Sequence, residues 1–219
     1  MSIQDNIKRI QKDIEKSATS FGRNPSDVTL IAVSKKQPDE RIRAALELGH
    51  RVFGENRVQE ALERWSERRY QYSDLKLHLI GPLQTNKVKE AVALFDVIEI
   101  VDREKLVKAL SSEIQKQGKD VTCLIQVNTG EESQKSGVLP ENLESLLALC
   151  KAEGLKISGL MCIPPVDEAA GVHFAFLKTL ADRHGLKILS MGMSSDYKEA
   201  IASGATHIRV GSAVFGARQ

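Results

Sequence analysis

Lys35 is the residue with the clearest chemical use in this sequence. It follows a β-branched apolar run at 29–34 and shares side-chain parity with Ile31 and Val33, so on a strand it points to their face. An amine held at the mouth of an apolar interior has its ammonium form disfavoured and can attack an aldehyde to form an imine. Taken alone, Lys35 reads as a solvated lysine at a strand end, as Lys36 beside it does. Two later segments are Met191-Gly192-Met193-Ser194-Ser195-Asp196 and Arg209-Val210-Gly211-Ser212-Ala213. Each places glycine and hydroxyl residues between an apolar run and a short helical stretch. Glycine permits close backbone approach, and N–H groups at a helix start attract anions. Each segment is therefore a phosphate seat or an ordinary strand-to-helix turn, with Ser195 or Asp196 as the cap in the first.

These residues act together only if the fold gathers them. Ile3, Ile7, Ile10, Ile14 and Phe21 form an apolar stripe at helical spacing, with Ser2 and Asp5 as a capping box and turn residues at 22–26. Strand-like runs then follow at 29–34, 51–54, 77–80, 97–101, 121–128, 156–161, 187–191 and 207–210. Between them lie helical stretches at 39–48, 57–68, 87–95, 103–116, 141–152, 168–183 and 196–202, and 211–213 can open a short final helix. Strands separated by helices pair in parallel. Eight such units close into a (β/α)8 barrel, giving an α/β fold with an additional N-terminal helix. Such barrels typically run to about 250 residues, so residues 1–219 make one compact domain. An open doubly wound sheet is the alternative, but no G-x-G-x-x-G follows the first strand.

Barrel active sites form at the C-terminal ends of the strands, and phosphates often bind after strands seven and eight. Closure then puts Lys35 of strand one beside both glycine–hydroxyl segments. A ligand with an aldehyde at one end and a phosphate at the other spans them, and pyridoxal 5′-phosphate (PLP) fits that description. Arg209 has the parity of Gly211 and reaches the interior, either as a contact for the pyridine nitrogen or as half of a buried salt bridge. A cation at that nitrogen opposes its protonation and weakens the ring as an electron sink.

Composition narrows the setting. Lys and Arg number 31 against 29 Asp and Glu, a net charge of +2 that gives no support to nucleic acid or an anionic membrane as partner. Cys123, Cys150 and Cys162 form no C-x-x-C pair and read as reduced, buried thiols, with Cys123 and Cys162 in strands. The N-terminus lacks a secretory apolar region, and no apolar run approaches the roughly 18 residues of a membrane span. A cytoplasmic protein is expected. The histidines show no paired metal-ligand spacing, so no metal is expected. His78 reads as a rim residue or a hydrogen-bonded structural histidine. The polar segment 131–137 reads as a surface loop or as a cover for the ligand.

Five segments together carry a resemblance to a known family: Val33-Ser34-Lys35, Phe53-Gly54-Glu55-Asn56, the ten residues from His78 to Lys87 (HLIGPLQTNK), Met191-Gly192-Met193-Ser194, and Arg209-Val210-Gly211-Ser212-Ala213-Val214-Phe215-Gly216. In that order they resemble the PLP homeostasis proteins, which include the bacterial YggS proteins and are also called PLP-binding or proline synthetase co-transcribed proteins. The resemblance implies a fold-type III barrel similar to the N-terminal domain of alanine racemase. It implies PLP as a Schiff base on Lys35, phosphate contacts from Ser194, Gly211 and Ser212, an Arg209 contact to the pyridine nitrogen, and Asn56 as a further neighbour. The function it implies is to buffer PLP or transfer it to PLP-dependent apoenzymes in vitamin B6 homeostasis, without robust turnover. The oligomeric state stays open, a monomer included.

The alternative is a fold-type III amino-acid racemase. By resemblance to alanine racemase, that chemistry takes a second acid/base group from a tyrosine of a separate C-terminal β-domain. The sequence ends at Gln219 directly after the last barrel motif, and Tyr70, Tyr72 and Tyr197 are not obvious substitutes. A lysine aldolase or another phosphate-sugar barrel enzyme explains the lysine and the phosphate seat but not the family segments.

Overall fold

The computed structural model describes residues 2–216. Its first helix, α1 (Ile3–Ser20), starts on the expected capping box. The Asp5 N–H donates to Ser2 Oγ at 3.1 Å, and the Ser2 N–H donates to the Asp5 carboxylate at 3.1 Å. Two otherwise orphaned donors are thereby satisfied. Ile7, Ile10, Ile14 and Ala18 bury one face of α1. Phe21 departs from the expected stripe: the helix stops before it, the chain turns through Gly22 at φ +67°, and the ring stays exposed.

Eight strands follow: β1 (Thr29–Val33), β2 (Val52–Glu55), β3 (Lys76–Leu79), β4 (Val97–Val101), β5 (Thr122–Gln126), β6 (Ile157–Met161), β7 (Ile188–Ser190) and β8 (His207–Val210). Each pairs in parallel with the next, and β8 returns to β1 with Ile31 opposite Arg209. The connecting helices are α2 (Asp39–Glu47), α3 (Val58–Trp65), α4 (Arg68–Gln71), α5 (Val88–Leu94), α6 (Glu104–Gln117), α7 (Leu143–Ala152), α8 (Ala170–Arg183), α9 (Tyr197–Ala202) and α10 (Ser212–Phe215). This is the closed (β/α)8 topology, whose right-handed crossovers place a helix outside each strand. The single helix expected at 57–68 is two: α3 ends at Trp65, and α4 restarts at Arg68.

Alternation along the strands divides the side chains between two environments. Leu30, Ala32, Phe53, Leu77, Ile98, Ile125 and Ile208 face outward and pack with Ile42, Trp65 and Phe174 from the helices. The residues between them, including Ile31, His78, Glu99, Leu124, Ser190 and Arg209, face the barrel interior. Gly54 has the same inward parity. A Cβ there would stand 2.9 Å from Ile31 Cγ2 and 3.1 Å from Ile80 Cδ1, so β2 gives up a side chain where its neighbours fill the space.

The three thiols are buried and unbridged. Burial pushes Cys123 and Cys162 up to about 12 and Cys150 up to about 11. Cys123 lies in β5 as expected, whereas Cys162 falls just past the end of β6. Among the described residues, no helix is long and apolar enough to cross a membrane.

Candidate functional site

A cavity of about 320 Å³ opens at the C-terminal ends of the strands. Lys35, Asn56, Ser194, Arg209, Gly211 and Ser212 all line it, and Val33, Ile80, Ile163 and Met193 supply its apolar walls. The six residues named from the sequence and from the resemblance thus share one space.

Lys35 leaves the end of β1 on a tight turn. The Gln37 N–H donates to Ser34 O at 3.1 Å, and Lys36 takes a positive φ of 56°. Asn56 follows β2 directly and is pressed from behind by Gly81, where a Cβ would come within 2.4 Å of Asn56 O. That close approach requires glycine. The Asn56 Oδ1 atom is buried and has no hydrogen-bond partner.

On the opposite wall, Gly192 at φ +91° turns the chain out of β7. A Cβ there would meet Ala200 Cβ at 2.5 Å, so the loop and α9 share the space that a side chain would need. Asp196 stands at the start of α9 without capping it. Its carboxylate instead accepts from the Met193 N–H at 2.5 Å and shapes the loop, and Ser195 does not cap the helix either. The Ala213 N–H donates to Ser194 Oγ at 3.3 Å, tying the loop after β7 to the loop after β8. Gly211 has an ordinary φ of −107°, and a Cβ there would meet nothing nearer than 3.5 Å. The protein's own packing therefore does not require glycine at 211. Glycine there leaves the backbone open to close approach.

Arg209 forms the cavity floor and is 4% exposed. Its Nη1 donates to Ser190 Oγ at 2.7 Å and its Nη2 to Cys162 O at 2.7 Å. Ser190 Oγ donates in turn to Glu99 Oε2 at 2.5 Å, and the other carboxylate oxygen lies 2.7 Å from His78 Nδ1. Burial pushes the Glu99 carboxyl up. The His78 hydrogen bond, the charges of His78 and Arg209 and the Ser190 hydroxyl outweigh it, holding the group below the usual carboxylate range. A carboxylate only accepts, so His78 Nδ1 carries the proton. Burial drives His207, whose ring lies 5.7 Å from that of His78, down to about 4, so it is neutral at pH 7.

His78 is thus the buried, hydrogen-bonded histidine of the two readings, set inside the barrel rather than at the rim. The alternative of Arg209 as half of a direct buried salt bridge gives way to a contact with Glu99 through Ser190. The loop at 131–137 lines none of the cavity. It is tied down where Gln126 donates to Ser136 O at 2.9 Å and Asn128 to Glu132 O at 2.8 Å. Sequence reasoning missed Glu99 and Ser190. The signal was an acid at the centre of Val97-Ile98-Glu99-Ile100-Val101, with inward parity.

The residues fit PLP on two observations: the orphaned Oδ1 of Asn56, which lines the cavity with Lys35, and room at the Gly211 backbone for a ligand to approach. Fold and site together define a class, a (β/α)8 barrel whose rim lysine faces a glycine- and hydroxyl-lined seat across one cavity. Residues 2–219 match the family described as alanine racemase, N-terminal domain. A Pseudomonas aeruginosa pyridoxal phosphate homeostasis protein is 41% identical over 225 residues, covering 99% of this chain and 96% of the relative. Its Escherichia coli K12 counterpart is 36% identical over 230 residues, covering 99% and 97%. The chain belongs to the pyridoxal phosphate homeostasis protein family. PipY of Synechococcus elongatus, solved with PLP bound, superposes with a TM-score of 0.78 at 38% identity, covering 93% of this chain and 100% of PipY. An alanine racemase of Clostridium difficile, 14% identical with a TM-score of 0.73 over 97% of this chain and 57% of its own, shares the barrel fold.

Proposed function

We propose that this protein binds PLP with Lys35 as its covalent anchor, and that it serves intracellular vitamin B6 homeostasis by holding the cofactor or passing it to apoenzymes. The whole chain, 1–219, would then be one cofactor-binding domain. The observation that carries the reading is the one cavity that Lys35 and Asn56 line together with Ser194, Gly211 and Ser212. The names of the relatives and the PLP bound to PipY support it.

When bound, PLP supplies an aldehyde that an amine converts to a Schiff base. Lys35 supplies that amine. Ser194 and Ser212 offer hydroxyls to a phosphate, and Gly211 lets the phosphate approach the backbone. Arg209, fixed by Ser190 and Cys162 O, would present its remaining donors to the ring nitrogen. A guanidinium keeps its proton, so Arg209 would donate a hydrogen bond to that nitrogen without protonating it. That weakens electron withdrawal and favours holding over turnover.

A racemase needs a proton-transfer group on each face of the substrate. Among the residues lining the cavity, Lys35 and Arg209 are the titratable ones, and Arg209 does not release its proton. The Tyr197 hydroxyl donates to Asp13 at 2.6 Å, away from the cavity, and burial pushes it up to about 12.

The test is the visible absorption of the protein with PLP, followed by borohydride reduction and peptide mass mapping. An imine band with the adduct on Lys35 is expected. Lys35→Ala should lose the band and keep the melting temperature, because the side chain lies at the rim. A band that survives Lys35→Ala overturns the anchor. Steady amino-acid racemisation by the loaded protein overturns the holding role.

A further inference from the structure

We infer that Glu55 and Arg64, on the outer side of the barrel wall, are the positioning device that presents Lys35 to the cavity. The inference rests on Lys35 being the anchor.

The turn that carries Lys35 is closed by its own Gln37 N–H to Ser34 O bond but holds a strained residue. Lys36 sits in the left-handed region, which costs a residue other than glycine roughly 1–2 kcal/mol. Such a conformation persists only where its surroundings over-determine it. Here the Ser34 N–H donates to Gly54 O at 3.0 Å, Gln37 Oε1 accepts from Arg41 at 3.2 Å, and one guanidinium spans the two ends of the turn. Arg64 of α3 donates from Nη1 to Ser34 O at 3.0 Å and from Nη2 to Gln37 O at 3.3 Å, so it fastens both ends of the turn.

Arg64 is itself held by Glu55, the last residue of β2, through Nη1 to Oε1 at 2.7 Å. The same carboxylate oxygen accepts from Ser34 Oγ at 2.7 Å and from Trp65 Nε1 at 3.0 Å. Three donors, one from the residue after β1 and two from α3, therefore converge on one atom. Glu55 is fully buried, and the Arg64 side chain is 18% exposed. A buried ion pair is a poor source of net stability, because apolar residues of equal volume do as well or better. Its geometry points to a different use.

Ser34 and Glu55 turn outward into this cluster, while the residues after them, Lys35 and Asn56, line the cavity. The clamp stands directly behind these two cavity-lining residues and does not itself line the cavity. Arg64 acts through Lys35. It fixes the direction of the amine as the barrel interior fixes Arg209.

The experiment measures PLP dissociation and the rate of borohydride trapping at Lys35 in Arg64→Ala, Arg64→Lys and each combined with Lys36→Gly. Misplacing a reacting group by about 1 Å can cost up to 100-fold, and about a tenfold loss of PLP binding is expected for Arg64→Ala. Arg64→Lys should recover only part of it, since one ammonium cannot span both carbonyls. Lys36→Gly takes the left-handed conformation without strain and should restore trapping in the Arg64→Ala background. A merely structural ion pair would give a lower melting temperature with unchanged trapping in the folded protein, and that result overturns the proposal. So does a failure of Lys36→Gly to restore trapping. Should Arg64→Ala not fold, Arg64→Lys alone decides, and wild-type trapping in it overturns the clamp. An absent imine in the wild-type protein refutes the anchor instead. The clamp is then judged by hydrogen exchange at the Gln37 amide, which Arg64→Ala must accelerate.

Discussion

Glu99 and Glu55 are both fully buried carboxylates, one inside the barrel and one between the wall and its helices, and they are satisfied in opposite ways. Glu99 uses both oxygens, one on His78 and one on Ser190, and through Ser190 it reaches Arg209 at the cavity floor. Glu55 receives all three of its donors on one oxygen and leaves the other without a partner. The inner cluster is a closed network, in which each contact fixes the next and any loss strands a charge away from water. The outer cluster is lopsided and partly reached by solvent through Arg64. The Arg209 floor of the cavity and the turn that carries the rim lysine are thus held by different kinds of carboxylate.

Replacing each acid by its amide breaks the comparison most directly. Glu99→Gln puts an N–H group where His78 or Ser190 already donates, and it removes the charge that balances Arg209. Breaking a buried pair of this kind costs about 3–5 kcal/mol, and denaturant unfolding should show a loss of that order. Glu55→Gln keeps a carbonyl oxygen for its three donors and can put its amide at the position that lacks a partner. Its expected cost is about 1–2 kcal/mol. Equal losses would show that the two networks are equivalent.

Acid sharpens the same contrast from the inner side. His207 titrates near 4 when folded and near 6.5 when unfolded, and His50 is lowered in the same direction, both chiefly by burial. Between those values the unfolded chain binds protons that the folded chain does not, so stability falls as pH falls. Glu99 is also lowered, and the stability it contributes is lost as pH drops through its folded value. Its sign is therefore the same. His207→Gln should flatten part of the loss of melting temperature between pH 6.5 and 4, by an amount worth a few kcal/mol, with His50 accounting for what remains. An unchanged slope would mean that His207 is not neutral inside the barrel.

How much of this is legible in the sequence follows from what periodicity encodes. Alternation along β1 and β8 is local, so it places Lys35 with Ile31 and Val33, and Arg209 with Gly211, and the barrel rule brings the two strands together. It also marks Glu99 as an inward acid. It does not say that His78, one strand earlier, and Ser190, three strands later, converge on it, because that depends on the stagger with which the barrel closes. Glu55 and Arg64 are harder still. Their link runs from a strand end to a helix and back to a turn, and no period relates Ser34, Glu55 and Arg64. Phe21 and the break after Trp65 show the same limit at helix ends, where tertiary packing and chain reversal decide the last turn.

The smallest expected effect lies on the phosphate side, where neither carboxylate acts. Ser194 Oγ accepts one long, neutral hydrogen bond from the Ala213 N–H, a contact worth about 0.5–1.5 kcal/mol. The loop that carries it is shaped independently, by Gly192 at φ +91° and by the Asp196 carboxylate on the Met193 N–H. Ser194→Ala should therefore leave the loop in place and the melting temperature nearly unchanged. PLP retention should fall by a factor of about 3–10, the equivalent of one neutral hydrogen bond. A loss as large as that of Lys35→Ala would mean that the hydroxyl, rather than the backbone around Gly211, carries the phosphate. The seat would then depend on a single side chain, as the outer clamp depends on a single oxygen of Glu55.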